Sequence, residues 1–422
     1  MSKIGVTQMR KAVNLLEEKE GFKCTLLGIG PMSLPVIEAS FLLAKEKDFP
    51  LMFIASRNQI DSECFGRGYV CNWDQSDFIR EIKKVADKTN FDGIYHICRD
   101  HGGPWQRDEE KNNKLAEAEA MDIGIKSFID DMIAGFDLLH VDPTKDPHSE
   151  GIAPIELTLK RTVSIIDALE KERIARALPR VAYEVGTEDI VGGLTSPDAY
   201  SAFIKELTDQ LKAKGLPLPD FIVGQTGTLT RLTENVGDFD PATARHLSEK
   251  AAEFGVGLKE HNGDYLSDFI LHIHPLAGIS GINVAPEFGV AETEAYLLLH
   301  EIENFAFNNG LLQSKSDFYN AISVETVRCE RWRKWMVDES ADMSVDAVLS
   351  DEKLVRLITE TGGHYTFEAK AVKESINTMF ENLSSLGLRP ESIVLDKLKR
   401  SIGRYVECLN LEGLTSKIKK YL

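Results

Sequence analysis

Eight short apolar runs, separated by long amphipathic stretches, organise the chain from Thr25 to Val284. Amphipathic stretches such as Pro35–Lys47 and Ser76–Thr89 predict helices, and the apolar runs predict buried strands. Repeated strand–helix units with right-handed crossovers build parallel sheets. The predicted strands are Thr25–Ile29, Leu51–Ala55, Ile94–Cys98, Asp137–Val141, Val181–Val185, Phe221–Gly224, Val256–Lys259 and Ile279–Val284.

Eight such units fit a closed (β/α)8 barrel, which takes about 250 residues, better than an open doubly wound sheet. The first turn also disfavours a dinucleotide-binding sheet. There Gly28-Ile29-Gly30 is followed by Pro31, where the fingerprint needs a helix start that cradles a pyrophosphate. We therefore predict an α/β protein with a TIM barrel.

From about Ala295 onward the pattern is almost wholly helical and strands no longer alternate with helices. Helices are predicted at Val345–Ile358, Ala369–Leu386 and Ser392–Leu409. We expect residues 1–294 to form the barrel, with an N-terminal helix before its eight units. Residues 295–422 should form a helical extension that packs on the barrel or closes its mouth.

The charge balance narrows the classes of partner. The 422 residues include 49 Lys and Arg against 67 Asp and Glu, a formal charge of −18 that repels nucleic acid and anionic membranes. A small phosphorylated ligand stays open, because a few local arginines suffice for it. Six cysteines without CxxC spacing fit reduced thiols, and no apolar run reaches membrane-spanning length. We expect an oligomeric cytoplasmic protein without nucleic-acid or membrane partners.

The third strand ends in an unusual polar turn. Ile94–Cys98 leads into Arg99-Asp100-His101 and then into Gly102-Gly103-Pro104. Chemistry in barrels of this kind takes place at the carboxyl ends of the strands. An adjacent Asp and His can divide the work, the imidazole binding a metal and the carboxylate moving a proton. The alternative is a turn in which Asp100 caps the next helix and His101 is exposed.

Other strands also end in polar groups that should meet at the same opening. A divalent metal accepts imidazole, carboxylate and amide ligands, so His101 and His261 are the first candidate ligands. Gln225 and Glu188 come next, as ligands or as groups that orient them. His140 also fits a core-facing strand histidine, Asp142 the start of a turn and Glu188 a solvated loop charge. The other polar groups at strand ends are Glu260 and Asp264.

These residues carry a resemblance to a known family. The sequence resembles the tagatose-bisphosphate aldolase accessory (non-catalytic) subunit family, over most of its length and in the same order. The resemblance is carried by Leu34–Ala39, Asn58-Gln59, Phe65-Gly66 with Gly68-Tyr69, Asp100-His101 with Gly103-Pro104, Ala134–Phe136 through His140 and Asp142, Gly186–Glu188, Glu260-His261, Asp264-Tyr265 and Ser375–Leu383.

The resemblance implies a TIM barrel related to the metal-dependent class II fructose-bisphosphate aldolases. In those enzymes the Asp of an Asp-His pair acts as general acid/base and the His binds zinc, which are roles that match Asp100 and His101. His261 matches a metal histidine on a late strand, whereas Gln225 stands where the aldolases are expected to have another histidine. Members of the accessory family have also been associated with ketose-phosphate 4-epimerisation, which needs the same metal-bound enediolate.

The departures from the family concern the substrate. The Gly-rich, Ser-containing phosphate loop after the seventh strand is replaced by His261–Tyr265. In the tail, Glu360–Phe367 has lost the basic character of the family's segment. Conversely Arg57, Arg67 and Arg99 stand where family members are uncharged, so the anion-binding part of the pocket has moved or the substrate differs.

Three hypotheses follow. The chain is a metal-dependent aldolase or 4-epimerase of carbohydrate metabolism acting on a ketose or ketose phosphate through a metal-bound enediolate, or an accessory subunit that stabilises a separate catalytic class II aldolase, or a sugar-binding protein without turnover. The acid/base and ligand set argues against the third, and we favour the first, with Zn, Mn or Mg as the metal. The assigned residues are Asp100, Asp142 and Glu188 as catalytic, His101, His261 and Gln225 as metal ligands, and Asn58, Gln59, Arg57, Arg99, His140, Glu260, Asp264 and Tyr365 as substrate-binding.

Overall fold

A computed structural model describes residues 4–149, 151–187, 195–336 and 339–422. Eight parallel strands form a closed barrel in which each strand pairs with its neighbours in chain order, and the last strand pairs with the first. The predicted TIM barrel is therefore confirmed. The strands are β1 Leu26–Ile29, β2 Leu51–Ala55, β3 Tyr95–Gly102, β4 Leu138–Val141, β5 Ala182–Val185, β6 Phe221–Val223, β7 Gly257–Glu260 and β8 Gly281–Val284.

The helices surround the barrel and continue into the extension. Those of the barrel are α1 Val6–Glu20, α2 Leu34–Lys47, α3 Gln75–Thr89, α4 Asp108–Asn112, α5 Glu117–Ala134, α6 Ile155–Ala175, α7 Pro197–Ala213, α8 Pro241–Glu253 and α9 Asp268–Ala277. The chain goes on through α10 Pro286–Asn308, α11 Phe318–Arg328, α12 Val345–Leu349, α13 Glu352–Gly362, α14 Lys370–Ser385, α15 Pro390–Cys408 and α16 Leu414–Ile418.

Local sequence signals account for where many elements begin. The Ser33 side chain accepts the backbone N–H of Val36 at the start of α2, and Asp74 accepts that of Asp77 at the start of α3. One predicted tail helix, Val345–Ile358, is instead divided between α12 and α13. The division falls before Asp351, whose side chain caps the second helix by accepting two backbone N–H groups.

The extension shares its core with the barrel. Helix α15 packs against α2 and α10, and its Leu398, Ile402 and Tyr405 belong to the same buried apolar cluster as the barrel strands. The expected boundary at residue 294 falls inside α10, which follows β8 directly. The division into two domains therefore stays a prediction.

A buried carboxyl group joins the first and last parts of the barrel. Glu292 on α10 accepts hydrogen bonds from Ser33 Oγ, 2.5 Å away, and from the hydroxyl of Tyr296, 2.9 Å away. Burial raises the pKa of Glu292 to about 7. The proton on this group is therefore linked to folding at neutral pH.

Two short antiparallel hairpins lie outside the barrel sheet. One pairs Lys145–Asp146 with Gly151–Ile152, and the other pairs Thr230–Arg231 with Glu234–Asn235 after β6. Among the described residues no helix combines the length and the apolar character needed to cross a lipid bilayer.

Candidate active site

An irregularity in β3 brings two neighbouring polar side chains to the barrel mouth. Successive side chains on a regular strand point to opposite faces, but the pairing of β3 with β4 shifts register between Arg99 and Gly102. His101 within this bulge has φ of 44°, a left-handed conformation that is uncommon for residues other than glycine. The bulge therefore lets Asp100 and His101 face the same cavity.

Arg99 points the other way, between the barrel and α5. Its guanidinium donates to both carboxylate oxygens of Asp131, at 2.8 and 2.5 Å, and to the carbonyls of Ala55 and Ile60. The side chain is fully buried and does not line the cavity. Arg99 thus braces the outside of the barrel in this structure, although it was predicted to bind substrate.

Four candidate ligands meet at the carboxyl ends of the strands: Asp100, His101, His140 and His261. Their ligand atoms all lie within 4.8 Å of one another. His101 Nε2 and His261 Nδ1 are 2.9 Å apart, and Asp100 Oδ1 lies 3.5 Å from His261 Nδ1 and 3.9 Å from His101 Nε2. Atoms bound to one ion at about 2.0–2.2 Å lie about 3–3.5 Å from each other, so these spacings suit a divalent metal.

Two carboxylates orient the paired imidazoles. Asp142 Oδ2 lies 2.6 Å from His101 Nδ1, and Glu184 Oε1 lies 2.8 Å from His261 Nε2. The second oxygen of Glu184 accepts from the buried Lys259 ammonium at 2.6 Å. If each ring donates its outer N–H to its carboxylate, two lone pairs face each other across 2.9 Å. A shared cation satisfies that arrangement, as in carboxylate–histidine–metal groups.

Asp100 and the two orienting carboxyl groups, Asp142 and Glu184, are ionised at neutral pH. Burial acts to raise the pKa of Asp100, but the charges of His101 and His261 outweigh it and hold the pKa well below the ordinary value. The pKa of Asp142 is lowered in the same way, by the hydrogen bond and charge of His101 against burial. For Glu184, Lys259 overcomes burial and brings the pKa to about 2.

His140 supports the turn that carries the cluster. Its Nδ1 accepts the backbone N–H of His101 at 3.1 Å and lies 3.8 Å from Asp100 Oδ1. Its Nε2 has no hydrogen-bond partner among the described residues. A Cβ at position 186 would lie 2.9 Å from this nitrogen and from the Asp142 carboxyl, which explains why glycine stands there.

A cavity of about 150 Å³ opens beside the cluster. A water-sized group needs roughly 10–15 Å³ by this measure, so the cavity has room for about ten such groups. A small polar metabolite therefore fits. The barrel contributes Ile54, Asp100, His101, Thr230, Leu232, His261, Asn262, Asp264, Asn283, Val284, Ala285 and Pro286, and the extension contributes Trp335, Thr361, His364 and Tyr365.

Two predicted site residues from the tail and the β7 loop line this cavity. Asp264 Oδ1 accepts the backbone N–H groups of Ala285 and Glu287, at 3.1 and 2.8 Å, at the start of α10. Burial and the neighbouring Glu287 raise the pKa of Asp264 to about 7, against the effect of the N–H donors. Tyr365 lies edge-on to the Tyr69 ring, with ring centres 5.1 Å apart.

Several other predicted residues lie away from the cavity lining. Glu260 points outward from β7 and pairs with His274 at 2.7 Å. The backbone N–H of Gln225 donates a hydrogen bond to the Thr195 hydroxyl, and its carbonyl accepts one from the backbone N–H of Thr195. The role of Gln225 as a ligand stays a prediction, and Glu188 lies outside the described residues.

The predicted residues after β2 brace loops. Arg57 is fully buried and pairs with Asp61 and Glu110. The Asn58 side chain bonds to the backbone of Gln106 and Asp108. The Gln59 side chain accepts the N–H of Ser56.

Sequence reasoning missed four residues of the site. Glu184, Lys259 and Asn283 are buried polar side chains on β5, β7 and β8, and each points into the barrel. Their period-two position within a buried strand was the available signal. The fourth residue, His364, comes from the turn after α13 and had no such signal.

A protein-family model matches most of the chain. The sequence model described as D-tagatose-1,6-bisphosphate aldolase subunit GatZ/KbaZ-like matches residues 13–407. No curated protein matches the chain at a significant level.

Solved structures share the fold. A probable tagatose 6 phosphate kinase from Sinorhizobium meliloti 1021 superposes with a TM-score of 0.75 at 19% identity, over 91% of this chain and 100% of that one. The fructuronate-tagaturonate epimerase UxaE from Cohnella laeviribosi gives 0.53 at 12% identity, over 95% and 86%. A fructose-bisphosphate aldolase from Campylobacter jejuni gives 0.51 at 14% identity, over 90% and 95%. At these identities the likeness establishes the fold alone.

Proposed function

Because the chain belongs to the GatZ/KbaZ-like family of D-tagatose-1,6-bisphosphate aldolase subunits, we propose that it acts on a ketose or ketose phosphate as a metal-dependent aldolase or 4-epimerase. Asp100, His101 and His261 are the proposed metal and acid/base residues, with Gln225 and Glu188 kept as further candidates. Zn suits the imidazole groups of such a site, and Mn and Mg suit its carboxylate.

The paired orientation of His101 and His261 supports this proposal most strongly. Each ring contacts a carboxylate at its outer nitrogen, and the two inner nitrogens lie 2.9 Å apart beside Asp100. His261 is buried and His101 is partly buried. Their orientation fits metal ligands, because a ligating histidine usually donates its other ring N–H to a carboxylate, a backbone carbonyl or water. The donor set therefore fits a divalent metal.

The reaction follows from the groups beside the cavity. When bound, a divalent metal supplies a Lewis acid that polarises the ketose carbonyl. Asp100 is ionised because its pKa is lowered, so it can accept the proton of the C4 hydroxyl while the bond between C3 and C4 breaks. Asn283 donates to Asp100 Oδ1 at 3.0 Å and holds the carboxylate in position.

The fate of the aldehyde fragment separates the two activities. If the fragment leaves, the reaction is aldol cleavage. If it turns and adds back through its other face, the product is the 4-epimer. Trp335, Thr361 and Tyr365 of the extension form part of the cavity wall, and enclosure favours retention of the fragment.

The accessory-subunit function is the alternative, because the family description names a subunit of the aldolase. In that case the chain stabilises a separate class II catalytic subunit. The proposed catalytic role and the accessory role predict different behaviour of the isolated protein, so one experiment separates them.

The experiment measures metal content and turnover together. The purified protein is loaded with Zn²⁺, Mn²⁺ or Mg²⁺ and assayed for cleavage and for 4-epimerisation of fructose, tagatose and their phosphates, alone and with a class II aldolase. Activity of the isolated, metal-loaded chain supports the catalytic proposal. If the isolated chain is inactive and its presence only stabilises the added aldolase, the result favours the accessory function.

A further inference from the structure

The extension supplies part of the cavity wall, here called the extension wall: Trp335, Thr361, His364 and Tyr365. The barrel residues Asp100, His101 and His261 line the same cavity. A substrate held at the barrel residues therefore extends toward side chains from a different part of the chain. The chemistry of the extension wall decides which substrate end fits there.

His364 is the buried polar group of this wall that lacks partners. The residue is 4% exposed, and neither ring nitrogen has a hydrogen-bond partner among the described residues. Burial, helped by the charge of Arg331, lowers the pKa of His364 to about 3, so the ring is neutral. A neutral imidazole offers one donor and one acceptor, and buried groups of this kind are normally paired.

The His364 ring is held in place by its neighbours. A Cβ at position 289 would lie 2.6 Å from the ring, so only glycine lets the imidazole rest against α10. The Tyr365 ring packs on the ring as well, with centres 4.1 Å apart. His364 is thus positioned by packing, although its nitrogens have no hydrogen-bond partner in the part of the chain that the structure describes, and this suits recognition of a ligand.

The start of α10, where an anion would normally bind in this cavity, is already occupied by the Asp264 side chain. Helix N-termini attract phosphates because their first N–H groups are unpaired and the helix dipole is positive there. At the start of α10 these N–H groups are bonded to the carboxylate of Asp264, which lines the cavity. A phosphate at this point would meet the Asp264 carboxyl group instead of free donors.

Basic side chains do not compensate. The cavity residues in the described part of the chain include no Lys or Arg, and residues 188–194 and 337–338 contain none in the sequence. Arg331 stacks over the ring of Tyr69 at 4.1 Å and that of Tyr365 at 5.4 Å. Arg331 is not among the residues that line the cavity.

We infer that the extension wall binds the uncharged, hydroxylated end of a ketose, with His364 as the residue that recognises it, so that the substrate carries no phosphate at that end. Hydroxyl groups match a neutral imidazole, since each can both donate and accept a hydrogen bond. Trp335 and Tyr365 offer apolar surface to the C–H groups of the sugar. The inference rests on the proposed function for the substrate class.

Isothermal titration of the protein with D-tagatose, D-fructose and their 6-phosphates tests the inference, with the protein as purified and after Mn²⁺ loading. We expect an unphosphorylated ketose to bind at least about 10-fold more tightly than its 6-phosphate. His364→Phe should weaken ketose binding about 10-fold or more, because two hydrogen bonds are lost. His364→Gln, which keeps a donor and an acceptor, should restore part of the affinity.

His96→Phe is the matched control. His96 is also fully buried without hydrogen-bond partners among the described residues, but it lies early in β3 and does not line the cavity. Its substitution should leave ketose affinity unchanged. Tighter binding of the 6-phosphates, no binding of either free ketose, or unchanged ketose affinity in His364→Phe would overturn the inference.

Turnover measured on the same samples keeps the two proposals apart. If free ketose binding depends on His364 but no cleavage or epimerisation occurs, the proposed activity fails and the inference stands. If turnover occurs with a preference for the 6-phosphates, the inference fails and the proposed activity stands.

Discussion

His101 Nε2 lies 2.9 Å from His261 Nδ1, although His101 lies in the third strand of the barrel and His261 directly follows the seventh. Asp142 and Glu184 contact the outer nitrogens of the two rings. The separation of the inner nitrogens is close to that of two ligands on one ion. Metal affinity should therefore depend on both rings.

Removal of either ring should weaken metal binding. We expect His101→Ala and His261→Ala each to lower the affinity for Zn²⁺ or Mn²⁺ more than about 100-fold, because loss of a direct ligand costs more than loss of an orienting group. Metal analysis and competition with a chelator measure the effect. His272→Ala is the control, since His272 is exposed on α9. Native metal affinity in both site variants would refute the assignment.

Glu184 should act through His261. Glu184→Gln is expected to lower metal affinity about 10- to 100-fold, because the amide orients the ring less well than the carboxylate. The same change leaves the buried Lys259 ammonium without its ion pair, so the free energy of unfolding should fall by about 3–5 kcal/mol.

Adding Lys259→Met to Glu184→Gln separates these two effects. The double variant should recover much of the stability in urea denaturation, because the unpaired charge is gone. It should not recover the metal affinity. Recovery of both would show that Glu184 acts only through stability.

Asp100→Asn keeps the size of the side chain and removes the base. Turnover should fall by about 10²–10⁴-fold, the usual contribution of general acid–base catalysis, while ketose binding persists. Cleavage and epimerisation are assayed separately by product analysis. Equal rates for the variant and the wild type would reject Asp100 as the base.

Glu292 should make stability depend on pH near neutrality. Its pKa is about 7 in the folded protein against an ordinary value of 4.5, so the folded state holds the proton more tightly than the unfolded state. This group therefore costs stability above pH 7, by up to about 3 kcal/mol, and the cost disappears as pH falls toward 4.5.

The comparison with Glu292→Gln isolates that contribution. The difference in unfolding free energy between variant and wild type should move in favour of the variant as pH rises from 5 to 8. Urea denaturation at several pH values measures it. A difference that stays constant over this range would contradict the role of Glu292.

Arg99 offers a test of a residue that was predicted to bind substrate. Because its guanidinium is fully buried against Asp131, Arg99→Met should destabilise the protein by about 3–5 kcal/mol by leaving the carboxylate unpaired. At a temperature where the variant is folded, its KM should match that of the wild type. A large rise in KM without loss of stability would support the predicted role of Arg99 in substrate binding.

The periodicity of the sequence was sufficient to predict the barrel. It also predicted that Asp100, His101 and His261 lie at the same end of the barrel. It did not distinguish the two faces of each strand. Arg99 directly precedes Asp100, so strand alternation places the Arg99 side chain on the opposite face of the strand. The same rule identifies Glu184 and Lys259 as inward-facing.

Two features depended on tertiary structure. The bulge that lets Asp100 and His101 face the same cavity is a property of pairing with β4, which no local pattern encodes. His364 reaches the cavity because its turn packs against Gly289. Long-range packing of this kind leaves no periodic trace in the sequence.

Helix α10 runs without a break from the rim of the barrel into the extension, with Asp264 at its start and His364 against its first turns. The candidate metal ligands lie between residues 100 and 261 of the sequence, and the extension wall lies between residues 335 and 365. Mutations in the extension wall can thus change substrate preference without altering the candidate metal ligands of the barrel. A protein engineer would accordingly diversify residues 361–365 first when seeking activity on a new sugar.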